Sequence, residues 1–395
     1  MTPSERRSAV SLASIFALRM LGLFLVLPVF ALEARRYPGG DDAALVGLAM
    51  GIYGLTQACL QMPFGLASDR FGRKRVIVAG LLVFAFGSFV AALADSLTGL
   101  VAGRALQGAG AVSAAVTALL ADQTREIVRT KAMALVGGSI GLMFALALVV
   151  APALSGWIGL SGLFAFTGLL ALAGVAAVVW WVPAEQPHGA GQPRGRLADV
   201  LAHRDLLRLN AGVFALHTVQ LAMWVAVPAM MVQAGLPKEH HWWIYLPAVL
   251  ASFGVMGGAL FPLERRGHLR AVLLGSIGLV IVVQAGLLAL AWAGPGAGGG
   301  LWPLGLLLFV FFCGFNALEA SQPSLVSRMA PAPLRGAALG LYNTLQSLGL
   351  FAGGAVGGAL VHGAGPVGLF AATLALALGW LALTWGLRPV GRTLH

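Results

Sequence analysis

Twelve apolar runs, each about as long as a helix needs to cross a bilayer, dominate this sequence. They fall near residues 9–33, 43–66, 76–94, 97–120, 131–156 and 160–182, then 209–232, 242–262, 270–293, 301–325, 336–361 and 366–387. At 1.5 Å rise per residue, about 20 residues span a hydrocarbon layer of about 30 Å. In lipid the backbone polar groups must be paired within the segment, which selects helices. A chain that is 59% hydrophobic and 10% charged carries more apolar surface than one soluble core can hide. The expected class is an all-α polytopic membrane protein with 12 transmembrane helices.

Charge sets the expected orientation. Arg6, Arg7, Arg70, Arg73, Lys74, Arg75, Arg125, Arg129, Lys131, Arg194, Arg196, Arg204 and Arg208 fall between runs on one side. Arg265, Arg266, Arg270, Arg328, Arg335, Arg388 and Arg392 fall on that side too, whereas the other side holds only Arg35, Arg36 and Lys238. Lys and Arg near span ends resist translocation, so both termini are expected in the cytoplasm of a bacterium, with the chain in its inner membrane. The net charge of +11 is spread over short loops and forms no patch or stripe, which excludes a nucleic-acid partner. Arg6 and Arg7 ahead of an apolar run resemble a signal peptide. The run is too long for one and contains Arg19, so it reads as a retained first span. Cys59 and Cys313 lie inside apolar runs and make neither a disulfide framework nor a metal site.

Residues 183–208 break the series in two. The stretch Pro183-Ala-Glu-Gln-Pro-His-Gly-Ala-Gly-Gln-Pro-Arg-Gly reads as a flexible cytoplasmic linker, with a short surface helix over 196–208. It separates an N-terminal six-helix bundle, 1–182, from a C-terminal one, 209–395. Arg129-Thr-Lys-Ala-Met-Ala-Leu before span 5 is echoed by Arg335-Gly-Ala-Ala-Leu-Gly-Leu before span 11, and Pro28 by Pro228.

Between spans 2 and 3 lies Gly65-Leu-Ala-Ser-Asp69-Arg70-Phe-Gly72-Arg73-Lys74-Arg75. Gly65 and Gly72 allow a tight reversal, and the cations anchor the loop. Asp69 adds nothing to topology and needs a specific partner, such as a helix N-terminus; Arg73 calls for a second acid. The stretch resembles the span 2–3 loop of the major facilitator superfamily, G-x-x-x-D-R-x-G-R-[RK], at every fixed position. A faint counterpart, Glu264-Arg-Arg-Gly267, follows span 8. The resemblance implies two six-helix halves with pseudo-two-fold symmetry and a substrate site near the midplane between them. It also implies that Asp69, Arg70, Arg73 and Asp122, with Gly65 and Gly72, form a conformational latch, Asp69 lying near the start of span 11 around Gly336. Arg19-Met-Leu-Gly-x-Phe-x-Val-Leu-Pro-Val in span 1 and Leu216-His-Thr218 in span 7 look like the YajR-type branch of twelve-span drug/proton antiporters. Some such relatives carry a soluble C-terminal domain, and none is expected after His395. The span 5 signature of antiporters is only partly present, as Gly137, Gly141, Ala151-Pro152 and Gly156, which weakens export against uptake.

Polar residues inside spans must face protein or water. Arg104, in a stretch that resembles the superfamily's span 4 pattern of Arg followed by Gln-Gly, serves proton coupling or helix positioning, or snorkels. Arg19, near mid-membrane, is a paired structural cation or part of a ligand or proton site. Glu319 in span 10 either loads and releases a proton or sits in an interhelical salt bridge. His217 titrates or stays neutral and hydrogen-bonded. Tyr53, Gln57 and Gln61 on span 2, Gln220 and Trp224 on span 7, Asn316 on span 10, and Tyr342, Asn343 and Gln346 on span 11 outline a mixed polar and aromatic cavity. Met50, Met223, Met230 and Met231 would add adaptable apolar surface. The 54 glycines include pairs at small-xxx-small spacing, Gly137 with Gly141, Gly353 with Gly357 and Gly354 with Gly358, that let helices approach closely. No cluster of His, Asp or Glu suggests an enzyme. The expected activity is proton-coupled efflux (antiport) of small amphipathic or hydrophobic compounds by alternating access, by a monomer with no cofactor and no metal. The alternative is a proton-coupled symporter or facilitator of a small metabolite such as a sugar or organic acid.

Overall fold

The computed structural model describes residues 1–185, 197–260, 262–263, 266, 268–294, 300–331 and 334–387. Arg194, Arg196, Glu264, Arg265, Gly267, Arg388 and Arg392, and most of the expected hinge, lie outside the described residues. The chain divides into two compact units, Met1–Gly191 and Gln192–His395. Among the described residues the regular structure is helical throughout.

The first unit holds α1 (Pro3–Glu33), α2 (Ala43–Phe71), α3 (Arg73–Ala92), α4 (Leu97–Ala109), α5 (Ser113–Asp122) and α6 (Glu126–Trp180). Local signals set their starts. Thr2 and Glu5 close a capping box on α1, and Asp42 and Ser96 cap α2 and α4 through their side chains. Leu12, Ile15 and Phe16 of α1 meet Leu81, Val116 and Leu119 in the core. At Gly22 the α1 backbone comes so close to α6 that an added Cβ would stand 2.8 Å from Thr167 Cγ2.

The second unit holds α7 (Leu197–Leu201), α8 (Arg204–Gln233), α9 (Trp242–Val255), α10 (Leu269–Ala293), α11 (Leu301–Met329) and α12 (Arg335–Trp385), α9 continuing into a π-helical turn over Met256–Leu260. Only Leu197–Leu201 of the expected 196–208 segment forms a separate short helix; the next begins at Arg204, inside the expected linker. Gly349 and Gly353 let α12 lie against α8, where a Cβ would stand 2.5 Å from the Phe214 carbonyl oxygen and 2.4 Å from that of Thr218. Gly137 and Gly141 of the span 5 pair face open space instead, with nothing within 4 Å.

Nine helical stretches among the described residues are long and apolar enough to cross a membrane. α6 and α12, of 55 and 51 residues, would be about 80 Å long if straight, far beyond one bilayer. Each is broken at a glycine, Gly159 at φ 66° and Gly365 at φ 64°, a conformation that side-chain-bearing residues avoid. Exposed Trp157, Trp180, Trp292, Trp302 and Trp385 lie at or near helix ends and breaks, where amphipathic rings settle at lipid–water interfaces.

Span 4 departs from the single run expected at 97–120. It is two helices, interrupted at Gly110–Val112.

Candidate functional site

Three groups of polar side chains stand out, two in the first unit and one in the second. The first lies at the α2–α3 reversal. α2 runs through to Phe71, and Gly72 alone makes the turn at φ 97°, ψ 140°. Gly65 lies within the helix and takes no part in the reversal, a correction to the expectation. Arg73, 5% exposed, meets Asp69 at 2.5 Å through Nη1 and Asp122 at 3.1 Å through Nε. Its Nη1 also donates to Ser68 Oγ at 2.6 Å. As the first residue of α3, Arg73 sits at the positive end of the helix dipole, where a cation is unfavourable. The two carboxylates offset that, and so does a third. Glu185 accepts from the backbone N–H of Arg73 at 3.1 Å and from that of Lys74, capping α3. Lys74 Nζ reaches the Val182 carbonyl at 3.0 Å and Gln123 Nε2 the Pro183 carbonyl at 3.2 Å, so residues 182–185 are moored here. Arg70 stands outside the cluster, its guanidinium 5.5 Å from the Phe71 ring centroid. Nearby, Glu5 holds Arg125 through two oxygens at 2.7 and 3.2 Å.

The second group is buried in the same unit around Tyr53. Arg19 Nη2 donates to the Tyr53 hydroxyl at 2.6 Å and to Gln57 Oε1 at 3.4 Å, and Nη1 donates to Ser113 Oγ at 3.2 Å. Arg104 lies 5.0 Å from the Tyr53 ring centroid. It donates to the Ala49 and Met50 carbonyls and, at 2.9 Å, to Gln107 Oε1. Gln107 in turn donates to Ser88 at 2.8 Å. Both arginines are 1% exposed, so Arg104 does not snorkel.

The third group joins α8, α11 and α12. His217 Nε2 is 2.7 Å from Glu319 Oε1, and its Nδ1 is 2.9 Å from the Val213 carbonyl oxygen. A carbonyl only accepts, so Nδ1 carries a hydrogen. Nε2 is left with a single in-plane position, which lies against Glu319 Oε1. Gln346 Nε2 lies 2.8 Å from His217 Nε2 and donates to Glu319 Oε1 at 3.5 Å. His217 is buried and Glu319 half-buried, so the group is partly open.

The other expected cavity residues divide. Gln61 is buried with no partner for either polar atom, and the Tyr342 hydroxyl is buried without one. Trp224 packs edge-to-face on Tyr245 at 5.5 Å, and Gln220 is buried. Asn316 donates to Ser252 Oγ at 2.9 Å, away from the Glu319 group, and Asn343 is half-buried. Ser68, Ser113 and Glu185 were not anticipated. Ser68 adjoins Asp69, but Glu185 lay in a stretch whose composition signals only a linker.

Residues 12–354 match the model of the Major Facilitator Superfamily. The chain belongs to that family. It is 43% identical over 387 residues to the inner membrane transport protein YajR of Escherichia coli (strain K12), covering 97% of this chain and 84% of that one. It is 28% identical over 395 residues to the class G tetracycline resistance protein of Vibrio anguillarum, covering 96% and 94%. Among solved structures, an auto-inhibited POT family peptide transporter superposes with a TM-score of 0.74 at 15% identity, covering 98% of this chain and 99% of that one. This likeness concerns the fold. The chain is a multi-pass membrane transporter of small molecules, not an enzyme.

Proposed function

We propose that this transporter exports small amphipathic compounds from a bacterial cytoplasm in exchange for protons, and that the His217–Glu319–Gln346 group carries the proton. The observation that supports this is the 2.7 Å contact between His217 and Glu319, a base and an acid close enough to pass a proton, with the Gln346 amide beside both. The Asp69–Arg73–Asp122 cluster is the conformational latch, and Glu185 steadies it. Export fits the resistance protein among the relatives, and an inner-membrane location fits YajR.

The basic face, with both termini, is cytoplasmic. Two crossings in each of α6 and α12, and one through α9, bring the nine apolar stretches to twelve. The carrier works as a monomer and needs no cofactor beyond the coupling proton. The incomplete span 5 signature keeps symport or facilitated uptake as a second reading. Direction decides between them. Proteoliposomes with an imposed pH gradient should move substrate against the proton flow; co-movement with protons would establish symport.

A further inference from the structure

Span 4 breaks at Gly110–Val112, with Gly110 at φ −77°, ψ 52°. Non-helical backbone at membrane depth persists where it is buried in protein or lines a cavity, and the ends of broken helices form ligand and ion sites in carriers. α5, ten residues long, starts at this break with no side-chain cap, so its first N–H groups and its dipole present positive charge. Arg19 docks at that same end, through Ser113 Oγ at 3.2 Å and the Gly110 carbonyl oxygen at 3.4 Å. Arg104 adds a second cation across the Tyr53 ring.

Among the described residues every hydrogen-bond acceptor of these two guanidiniums is neutral: Tyr53, Gln57, Gln107, Ser113 and backbone carbonyls. Arg104 has its Nε, Nη1 and Nη2 all engaged. Arg19 does not, because its Nε has no partner. Gln61, one turn beyond Gln57 on α2, also keeps both polar atoms unpartnered while 3% exposed. Two buried cations beside a helix N-terminus have the wrong sign for one another, and buried charges persist when they are paired. Among the described residues no carboxylate hydrogen-bonds to either guanidinium.

We infer that this cluster is an anion subsite: Arg19, backed by Arg104 and the α5 N-terminus, receives the carboxylate of an amphipathic organic acid. The inference rests on the carrier reading above and narrows its substrate class. The free Nε–H offers one charge-assisted donor, and Nη2, whose contacts to Gln57 and Gly110 are 3.4 Å long, can turn a second towards a carboxylate. Both arginines are 1% exposed, so entry requires the surrounding helices to part, which alternating access supplies. Export of an anion against entry of a proton moves charge in one sense, and an inside-negative membrane potential drives both legs.

Three probes of one shape and different charge test this: 2-naphthoate, 2-naphthamide and 2-naphthamidine, titrated calorimetrically into the purified full chain at pH 7.5. The carboxylate should bind about tenfold or more tighter than either analogue, the margin of one charge-assisted hydrogen bond. Arg19→Gln should erase that preference. Arg19→Lys should keep the preference at lower affinity, which a merely structural role for Arg19 would not produce, and the wild-type charge series stands whether or not the variants fold. Equal or tighter binding of the amide or amidine, no binding of the carboxylate, or an intact preference in Arg19→Gln overturns the subsite. Flux driven by a pH gradient separates this from the carrier reading. An amidine-selective exchanger sinks the anion subsite alone, and carboxylate binding without proton-coupled flux sinks the exchange reading alone.

Discussion

His217 and Glu319 come from different helices, and each alone has a bland reading. Packing brings that base and that acid into contact, with the other imidazole nitrogen held by a backbone carbonyl. Glu319→Gln, which keeps the shape but cannot carry the proton as an acid, should abolish substrate-driven proton release while leaving substrate binding within about threefold, a change worth under 1 kcal/mol. A pH-sensitive dye inside proteoliposomes reads the first and equilibrium binding the second. His241 offers a separate test, of stability. Burial holds its imidazole down at about 4 from the ordinary 6.5, against the opposing pull of the Leu236 carbonyl and Glu239. The unfolded chain therefore binds an extra proton between those values, and stability is lost as pH falls from about 6.5 towards 4. Thermal melts of the wild type should drop through that window, and His241→Gln should flatten the drop.

Helices meet at glycines only where backbones touch, and the spacing of small residues did not say where that is. Gly353 has no room for a Cβ against Thr218, whereas Gly137 has nothing near it. Gly353→Val should therefore cost about 1–3 kcal/mol through forced separation of α8 and α12, lowering the yield of monodisperse protein. Gly137→Ala should change neither yield nor melting temperature by more than a degree or two. The helices themselves were legible because lipid demands long apolar runs, and the breaks at Gly159 and Gly365 fall between runs. The break in span 4 was hidden, since Gly110-Ala-Val reads as apolar as the rest. Glu185 was hidden too, by linker-like neighbours. Glu185→Ala removes a cap worth about 1 kcal/mol and should lower the thermal midpoint by about 2–4 °C, as differential scanning fluorimetry would show.

For the whole molecule, the membrane decides both architecture and energetics. Family and fold class were legible in the span 2–3 loop and in the apolar runs. The partners of Arg19, Arg104 and Glu319 were not, because residues far apart in sequence meet only after packing. Proton entry coupled to export of a singly charged anion moves two charges, roughly 5 kcal/mol per 100 mV, ample for uphill export. The most direct test reconstitutes the purified chain in proteoliposomes, imposes a pH gradient, and follows both internal pH and the flux of amphipathic anionic, neutral and cationic compounds. The account predicts that protons and at least one compound move in opposite directions, and that Glu319→Gln breaks the link between them. Substrate flux that ignores the gradient, or coupling that survives Glu319→Gln unchanged, would contradict it.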